Sequence, residues 1–315
     1  MSGHPTSGEA PTRARLLFVH AHPDDETLTT GVAMATYASR GHDVHLLTCT
    51  LGEEGEVIPP ALAHLGAARD DTLGSWRREE LRAAMSVLGV AHSVLGEDPE
   101  RGVASRYRDS GMAGTPSAEH PDAFAGADFH EASAMVAAHI RAVRPDVVVT
   151  YDKQGGYAHP DHVQTHRLTM SALSALADSA EADGAAIPVV YCILTPFSWA
   201  SQDRAWLLEK VAPTNSNCVV LPQDAPYPPS VVSDGTVTHV VEEPALVDLQ
   251  IRALAQHATQ VSVYDGYYAL SNNIAARLCG REGFAQFDPV AGHLVPAAHG
   301  APRHTGLLSE SQERG

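Results

Sequence analysis

The chain has 315 residues and a formal net charge of −17. Nucleic acid and anionic membrane surfaces both call for a basic footprint, so this balance argues against either as a partner. No stretch approaches the ~20 apolar residues of a membrane span.

The opening residues, MSGHPTSGEAPTRA, have no apolar centre of the signal-peptide kind, so residues 1–13 read as a disordered lead of a cytoplasmic protein. Arg15 to Ala21 is an apolar, β-branched run and reads as a buried strand. TLTTGVAMATYASRG follows as a helix closed by Gly41, and DVHLLTCT as a second strand. Strand, helix and strand within fifty residues make a βαβ unit and hence a parallel sheet. A helix over about residues 72–88 and a short strand at HSVLG come next. Residues 97–127 are rich in Gly, Pro and Asp, long enough to serve as a wall or lid over a site. FHEASAMVAAHIRAVRP reads as a helix, DVVVTY as a strand, VQTHRLTMSALSALADSA as a helix and PVVYCIL as a strand.

Beyond residue 200 the pattern is mixed. NCVVL and TVTHVVE are strand-like, Pro244 to His257 is helical, and YALSNNIAARLCG reads as a further helix. The polar end, 300–315, reads as a disordered tail. The expected architecture is a doubly wound, Rossmann-like α/β fold: a mostly parallel sheet with helices on both faces over residues 14–200, and a smaller mixed part over 201–299 packed on it. Cys49, Cys192, Cys218 and Cys279 form no CxxC pair and read as buried, reduced thiols.

Two loops carry the chemistry. AHPDDET follows the first strand, and DKQGGYAHPDH follows DVVVTY. Ligands of such sheets bind at the C-terminal ends of strands, so both loops belong to one site. Three acids crowded at a strand end repel one another unless a positive charge compensates. A catalytic zinc takes three His or carboxylate ligands and keeps one position open. From His22, Asp24, Asp25 and Glu26 on one loop and Asp152, His159, Asp161 and His162 on the other, His22, Asp25 and His162 would supply two imidazoles and a carboxylate. Glu26 and Asp152 each read either as an outer partner of that site or as an ordinary helix-start or turn acid.

AHPDDE after one strand and HPDH after a later one resemble the zinc-dependent LmbE-like (PIG-L) N-acetylglucosaminyl deacetylases, and the resemblance covers nearly the whole chain. YRDSGMAGT, VVVTYDKQGGYAHPDHVQTH, HATQV and LSNN are similar to the mycothiol-pathway branch. The resemblance implies one Zn²⁺ per subunit on His22, Asp25 and His162, Asp24 as catalytic base, and Tyr157 and His159 around the developing oxyanion. Asp161 is then placed to orient His159 and raise its pKa. The resemblance puts Arg77 and Asp109 against a sugar–inositol substrate, with His257 a weaker candidate.

The implied reaction is hydrolysis of the acetamide of N-acetylglucosaminyl-inositol. A mycothiol S-conjugate amidase and a deacetylase of another N-acetyl sugar are the alternatives. The amidase would carry a lysine shortly after HPDDE, where this chain has Thr29 and Thr30. Two His and a carboxylate also suit a non-haem Fe(II) oxygenase, but Asp24 beside them points to hydrolysis. A nucleotide-binding module needs GxGxxG after the first strand, and HPDDET stands there instead.

Overall fold

A computed structural model describes residues 13–183, 187–297, 300–309 and 312. Its centre is a parallel sheet built from β1 (Arg15–His20), β2 (Asp43–Thr48), β3 (Ala91–Val94), β4 (Val147–Tyr151) and β5 (Val189–Ile193). The order across it is β3-β2-β1-β4-β5. β1 pairs with both β2 and β4, so the chain changes direction across the sheet between them. This is the topological switch point, and it sets the loop after β1 beside the loop after β4.

Side chains of β1 alternate between two cores. Leu16 and Phe18 pack on one face with α1 (Asp25–Ser39) and α2 (Leu73–Leu88), while Leu17 and Val19 pack on the other with α3 (Phe129–Val143) and α5 (Pro160–Asp183). A strand buried on both faces reads as a continuous apolar run, which is why RLLFVH shows no polar alternation. α2 ends where Gly89 takes φ +72 and caps it. A single distorted turn, α4 (Gly155–Ala158), precedes α5.

The C-terminal part adds strands to the main sheet as well as small sheets of its own. After the short β6 (Thr195–Pro196), α6 (Phe197–Lys210) and β7 (Val231–Val232), strand β8 (His239–Glu242) returns to the main sheet. Past α7 (Val247–Leu254), a small antiparallel sheet of β9 (Ser262–Tyr264), β10 (Tyr267–Ala269) and β11 (Ala275–Arg277) leads to β12 (Arg281–Asp288). β12 lies antiparallel between β5 and β8, and β13 (His293–Leu294) and β14 (His304–Thr305) complete the sheet. The cut at residue 200 therefore falls inside one continuous sheet.

Two expectations are corrected. YALSNNIAARLCG is a hairpin, not a helix. Asn273 takes φ +57, and the Asn272 side chain accepts the Ile274 N–H at 2.9 Å, so local Asn turn chemistry overrides the helical spacing. The tail is docked to residue 308: β14 pairs with β8, Leu307 and Leu308 are buried in the α1 core, and the Leu307 N–H donates to the Tyr37 hydroxyl at 2.6 Å. Of the expected lead, residues 1–13, all but Arg13 lie outside the described residues, as do 310, 311 and 313–315 of the tail; Arg13 pairs with Asp43 at 2.8 Å. Helix α6 and strand β12 were not foreseen.

Leu307→Ala is expected to cost about 2–5 kcal/mol, the usual range for a leucine deleted from a packed core. Urea unfolding of the variant would show it as a lower midpoint at unchanged slope.

All four cysteines are free thiols, and among the described residues no helix is long and apolar enough to cross a membrane.

Candidate metal centre and active site

β1 delivers His22, Asp24 and Asp25, and the turn into α1 fixes them. The β4 loop and the first turn of α5 deliver Tyr157, His159, Asp161 and His162. The switch point brings the two sets together. Asp25 Oδ2 lies 3.2 Å from His22 Nδ1 and 3.2 Å from His162 Nε2, and those two nitrogens are 3.3 Å apart.

The hydrogen bonds around this triangle fix where the protons are. His162 Nδ1 faces the Gly155 carbonyl at 3.2 Å, which only accepts, so Nδ1 carries the proton and Nε2 a lone pair. His22 Nε2 faces Asp161 Oδ2 at 3.2 Å and Asp109 Oδ1 at 3.3 Å, so in the neutral ring the proton is there and Nδ1 presents the lone pair. Asp25 Oδ2 is steadied by the Tyr151 hydroxyl at 2.8 Å and the His22 N–H at 3.1 Å. Tyr151 has its proton free for this because its oxygen accepts from the Ala21 N–H. Tyr151 also stacks on His162 with ring centroids 4.2 Å apart.

With both imidazoles neutral, three lone pairs therefore converge. Ligands on a tetrahedral ion with bonds of 2.0–2.2 Å stand about 3.3–3.5 Å apart, which is close to the spacing seen. The donor set, its tautomers and its spacing fit a divalent cation. Two further groupings, His22 with His159 and His162 and His22 with Asp109 and Asp161, hold ligand atoms within 4.8 Å. In the second, however, the acids occupy the outer nitrogen of His22, as carboxylates behind a metal-ligating histidine do.

The electrostatics agree. Burial alone would lower the His22 pKa, but Asp109, Asp161 and Asp25 outweigh it and hold it well above its ordinary value. Burial would raise the Asp25 carboxyl, yet His162 and His22 hold it well below. The pocket calls for positive charge.

Asp24 stands outside the triangle. Its backbone sits at φ +102, a region that L-residues rarely occupy. The Glu26 side chain holds it there: Oε2 accepts the Asp24 N–H at 2.9 Å, while Oε1 accepts from His257 Nε2 at 3.0 Å and the Thr27 hydroxyl at 2.6 Å. Glu26 and His257 are completely buried. Burial pushes the Asp24 carboxyl up to about 7 against the pull of Arg77. A cation on the triangle would draw it back down.

Arg77 is buried behind this acid. It donates to Asp24 Oδ2 at 3.2 Å, to the Gly52 carbonyl at 2.7 Å and to the Pro23 carbonyl. Glu26 and His257 thus form a strut beneath the strained turn. Glu26→Gln is expected to lower kcat about 10–100-fold, the range for outer partners of a metal site. KM should change much less, and parallel kcat, KM and metal-content measurements would separate this from general loosening.

On the second loop, Asp161 departs from expectation. Its carboxylate turns to His22 and accepts the Ser110 N–H at 2.9 Å. Only its backbone N–H meets His159, at Nδ1 and 3.2 Å, so neutral His159 carries its proton on Nε2. The His159 pKa is not raised but lowered to about 4, by burial first and then by His22 and His162. Tyr157 is 51% exposed, and burial of its hydroxyl raises its pKa. Asp152 is a turn acid that accepts the Gly156 N–H at 2.7 Å and the Gln154 N–H at 3.1 Å. Asp109 is held below the usual carboxylate range: burial raises it, but His22 outweighs burial.

These groups line one cavity of about 850 Å³, large for a small-molecule site. Asp24, Arg77, Asp109, Tyr157 and His159 all border it; His257 does not. Sequence reasoning missed the buried Glu26–His257 pair as a unit, since the two lie 231 positions apart.

The family model described as PIG-L, GlcNAc-PI de-N-acetylase, matches residues 17–173. The chain is 46% identical over 289 residues to a 1D-myo-inositol 2-acetamido-2-deoxy-alpha-D-glucopyranoside deacetylase of Rhodococcus erythropolis, covering 90% of this chain and 92% of that one. It is 44% identical over 292 residues to a protein of the same name from Streptomyces scabiei, covering 89% and 87%. The N,N'-diacetylchitobiose deacetylase of Pyrococcus horikoshii shares the fold, with a TM-score of 0.53 at 16% identity over 89% of this chain and 85% of that one.

Proposed function

The chain belongs to the PIG-L family of GlcNAc-PI de-N-acetylases, and from that premise we propose that it removes acetate from N-acetylglucosaminyl-inositol to give glucosaminyl-inositol, a step of mycothiol biosynthesis. It is a hydrolase of an N-acetyl amide, and deacetylases of this family are metal-dependent. The observation that carries the reading is the convergence of three lone pairs beside a carboxylate that is not among them, in a chain whose relatives are named for this deacetylation.

A zinc ion held by His22 Nδ1, Asp25 Oδ2 and His162 Nε2 would supply Lewis acidity and an acidified water, lowering that water's pKa to about 7. The rest falls to the protein. Asp24, kept off the metal by its turn, takes the proton of the attacking water. Tyr157, exposed at the cavity wall, and the Nε2–H of His159 donate to the oxygen that gains charge as the carbonyl becomes tetrahedral. The proton on Asp24 then returns to the leaving amine, with His159 the other donor within the site. Asp161 works through His22, whose tautomer it selects. Asp109 and Arg77 border the cavity where sugar hydroxyls would meet them, and Arg77 also steadies Asp24.

The test compares release of free amine from N-acetylglucosaminyl-inositol and from a mycothiol conjugate. Each is run with purified, chelated and zinc-restored protein. Faster turnover of the small substrate, lost on chelation and regained with zinc, supports the reading. Preference for the conjugate would move the chain to the amidase step, and no turnover of either would send the search to other N-acetyl sugars.

A further inference from the structure

The cavity is bordered by more polar groups than the mechanism uses, and many are already partnered inside the protein. Of the two residues expected from sequence to meet the sugar, Arg77 turns both Nη atoms to Asp24 and to two loop carbonyls. Asp109 accepts from the Gly111 and Glu54 N–H groups. Two side chains contributed by α7 and β10 differ. Gln250 and Tyr268 border the same cavity as the metal triangle, and each has a polar atom without a hydrogen-bond partner among the described residues.

The hairpin sets Tyr268. In β10 it pairs with Val263 and Ala276, and strand alternation turns it the opposite way from Tyr267. Tyr267 goes to the α6 side, where it packs with Leu207 and Val211 and its hydroxyl accepts from Asn215 at 2.9 Å. Tyr268 goes to the α1 side, with its ring among Leu28, Leu254 and Leu278. Burial pushes its hydroxyl up to about 12, and the nearby Asp24 and Asp25 push the same way. It bonds to neither acid, and at neutral pH it is an uncharged donor.

Gln250 is only 3% exposed. Its Nε2 donates to the Thr27 carbonyl at 2.9 Å. A carbonyl only accepts, so this bond fixes the orientation of the amide and leaves Oε1 as the free atom. The stem of Gln250 lies against Gly31, where an added Cβ would stand 3.2 Å from its Cγ. Tyr268 and Gln250 thus stand beside the same stretch of α1, one offering a donor and the other an acceptor. Buried polar atoms nearly always have partners, because leaving one unpaired is costly. A donor and an acceptor on a wall shared with Leu28, Val32 and Leu270 suit a polyol, whose hydroxyls both accept and donate.

We propose that Tyr268 and Gln250 are specificity-determining residues: the Tyr268 hydroxyl donates to one hydroxyl of the substrate and Gln250 Oε1 accepts from another, orienting the sugar–inositol as its acetamide meets Asp24 and the metal triangle. The proposal rests on the deacetylase reading and deepens it. Both residues lie beyond the part of the chain that the family model matches, residues 17–173, so recognition of the polyol is assigned to the C-terminal part.

The test pairs each variant with substrates that lack one group. N-acetylglucosaminyl-inositol is compared with analogues deoxygenated in turn at each free hydroxyl of the sugar ring, and with one carrying cyclohexanol in place of inositol. Tyr268→Phe is expected to lower kcat/KM about five- to tenfold on the full substrate, the size of one neutral hydrogen bond. On one analogue it should change nothing, because the partner hydroxyl is already gone. The analogue that fails to respond identifies the hydroxyl and the ring that carries it. Metal content should be unaltered. Gln250→Met should show the same selectivity with a different analogue; it also removes the bond to Thr27, so Tyr268→Phe, which breaks no bond within the protein, decides.

Calorimetric binding of N-acetylglucosaminyl-inositol to the chelated protein is measured alongside, and should weaken by a similar factor in Tyr268→Phe. Binding that depends on Tyr268 without turnover would overturn the deacetylase reading and leave this wall standing. Turnover that Tyr268→Phe leaves unchanged, a loss that falls equally on every analogue, or no binding at all would overturn the proposal.

Discussion

Asp24→Asn is expected to lower kcat by about 10²–10⁴-fold, the usual contribution of a positioned general base. Asparagine keeps the shape of the side chain but cannot accept a proton. The acid contributes no atom to the His22–Asp25–His162 triangle, so metal content should stay stoichiometric while turnover collapses. Arg77 would keep a carbonyl acceptor in place of the carboxylate oxygen now 3.2 Å away, which limits structural disturbance.

The pH profile adds a second readout. A base works only when deprotonated, so the rate falls as pH drops through its pKa. Burial places that pKa at about 7 without the metal, and a bound cation moves it lower, so the acid limb should lie below neutrality. The residual activity of Asp24→Asn should lack that limb. A variant with full metal content and an unchanged acid limb would remove Asp24 from the role of base.

The site was legible in sequence where its residues are neighbours and illegible where they are not. HPDDE at the end of one strand and HPDH after another are local patterns, and the switch-point rule joined them without any structure. Asp161 shows the limit. Sequence places it two residues from His159, but the start of α5 turns its carboxylate across to His22, 139 positions away. Arg77 was expected to meet the substrate. It borders the cavity, but its hydrogen bonds run to Asp24 and to two loop carbonyls, an arrangement that depends on the close approach of Gly52. The pairing of His257 with Glu26 crosses most of the chain. Fold errors follow the same division. The β1 to β5 core was readable from apolar runs. The LSNN hairpin needed a left-handed Asn273, and the docking of the tail depends on Leu307 and Leu308, two apolar residues in a polar segment.

Loss of a ligand is the second large effect, and its pH dependence distinguishes a built metal site from a chance cluster. His162→Ala, or chelation of the wild type, is expected to take deacetylation below detection, and only the chelated protein should recover on adding zinc. Affinity for zinc should rise with pH across the neutral range. The sign follows from His22: Asp109, Asp161 and Asp25 raise its pKa well above the ordinary value, so below that pKa a proton holds the site and must leave as the ion enters. Chelator competition between about pH 6 and pH 8 would measure the slope. Asp109→Asn removes one of the acids that hold the His22 proton, so its slope should be shallower. It should also bind zinc more weakly at the upper end, because an outer partner of the ligand is weakened. Because the ion binds the folded chain, saturating zinc should also raise the unfolding temperature of the wild type and not of His162→Ala. An affinity independent of pH, with activity intact in His162→Ala, would place the metal elsewhere and undo the assignment of this triangle.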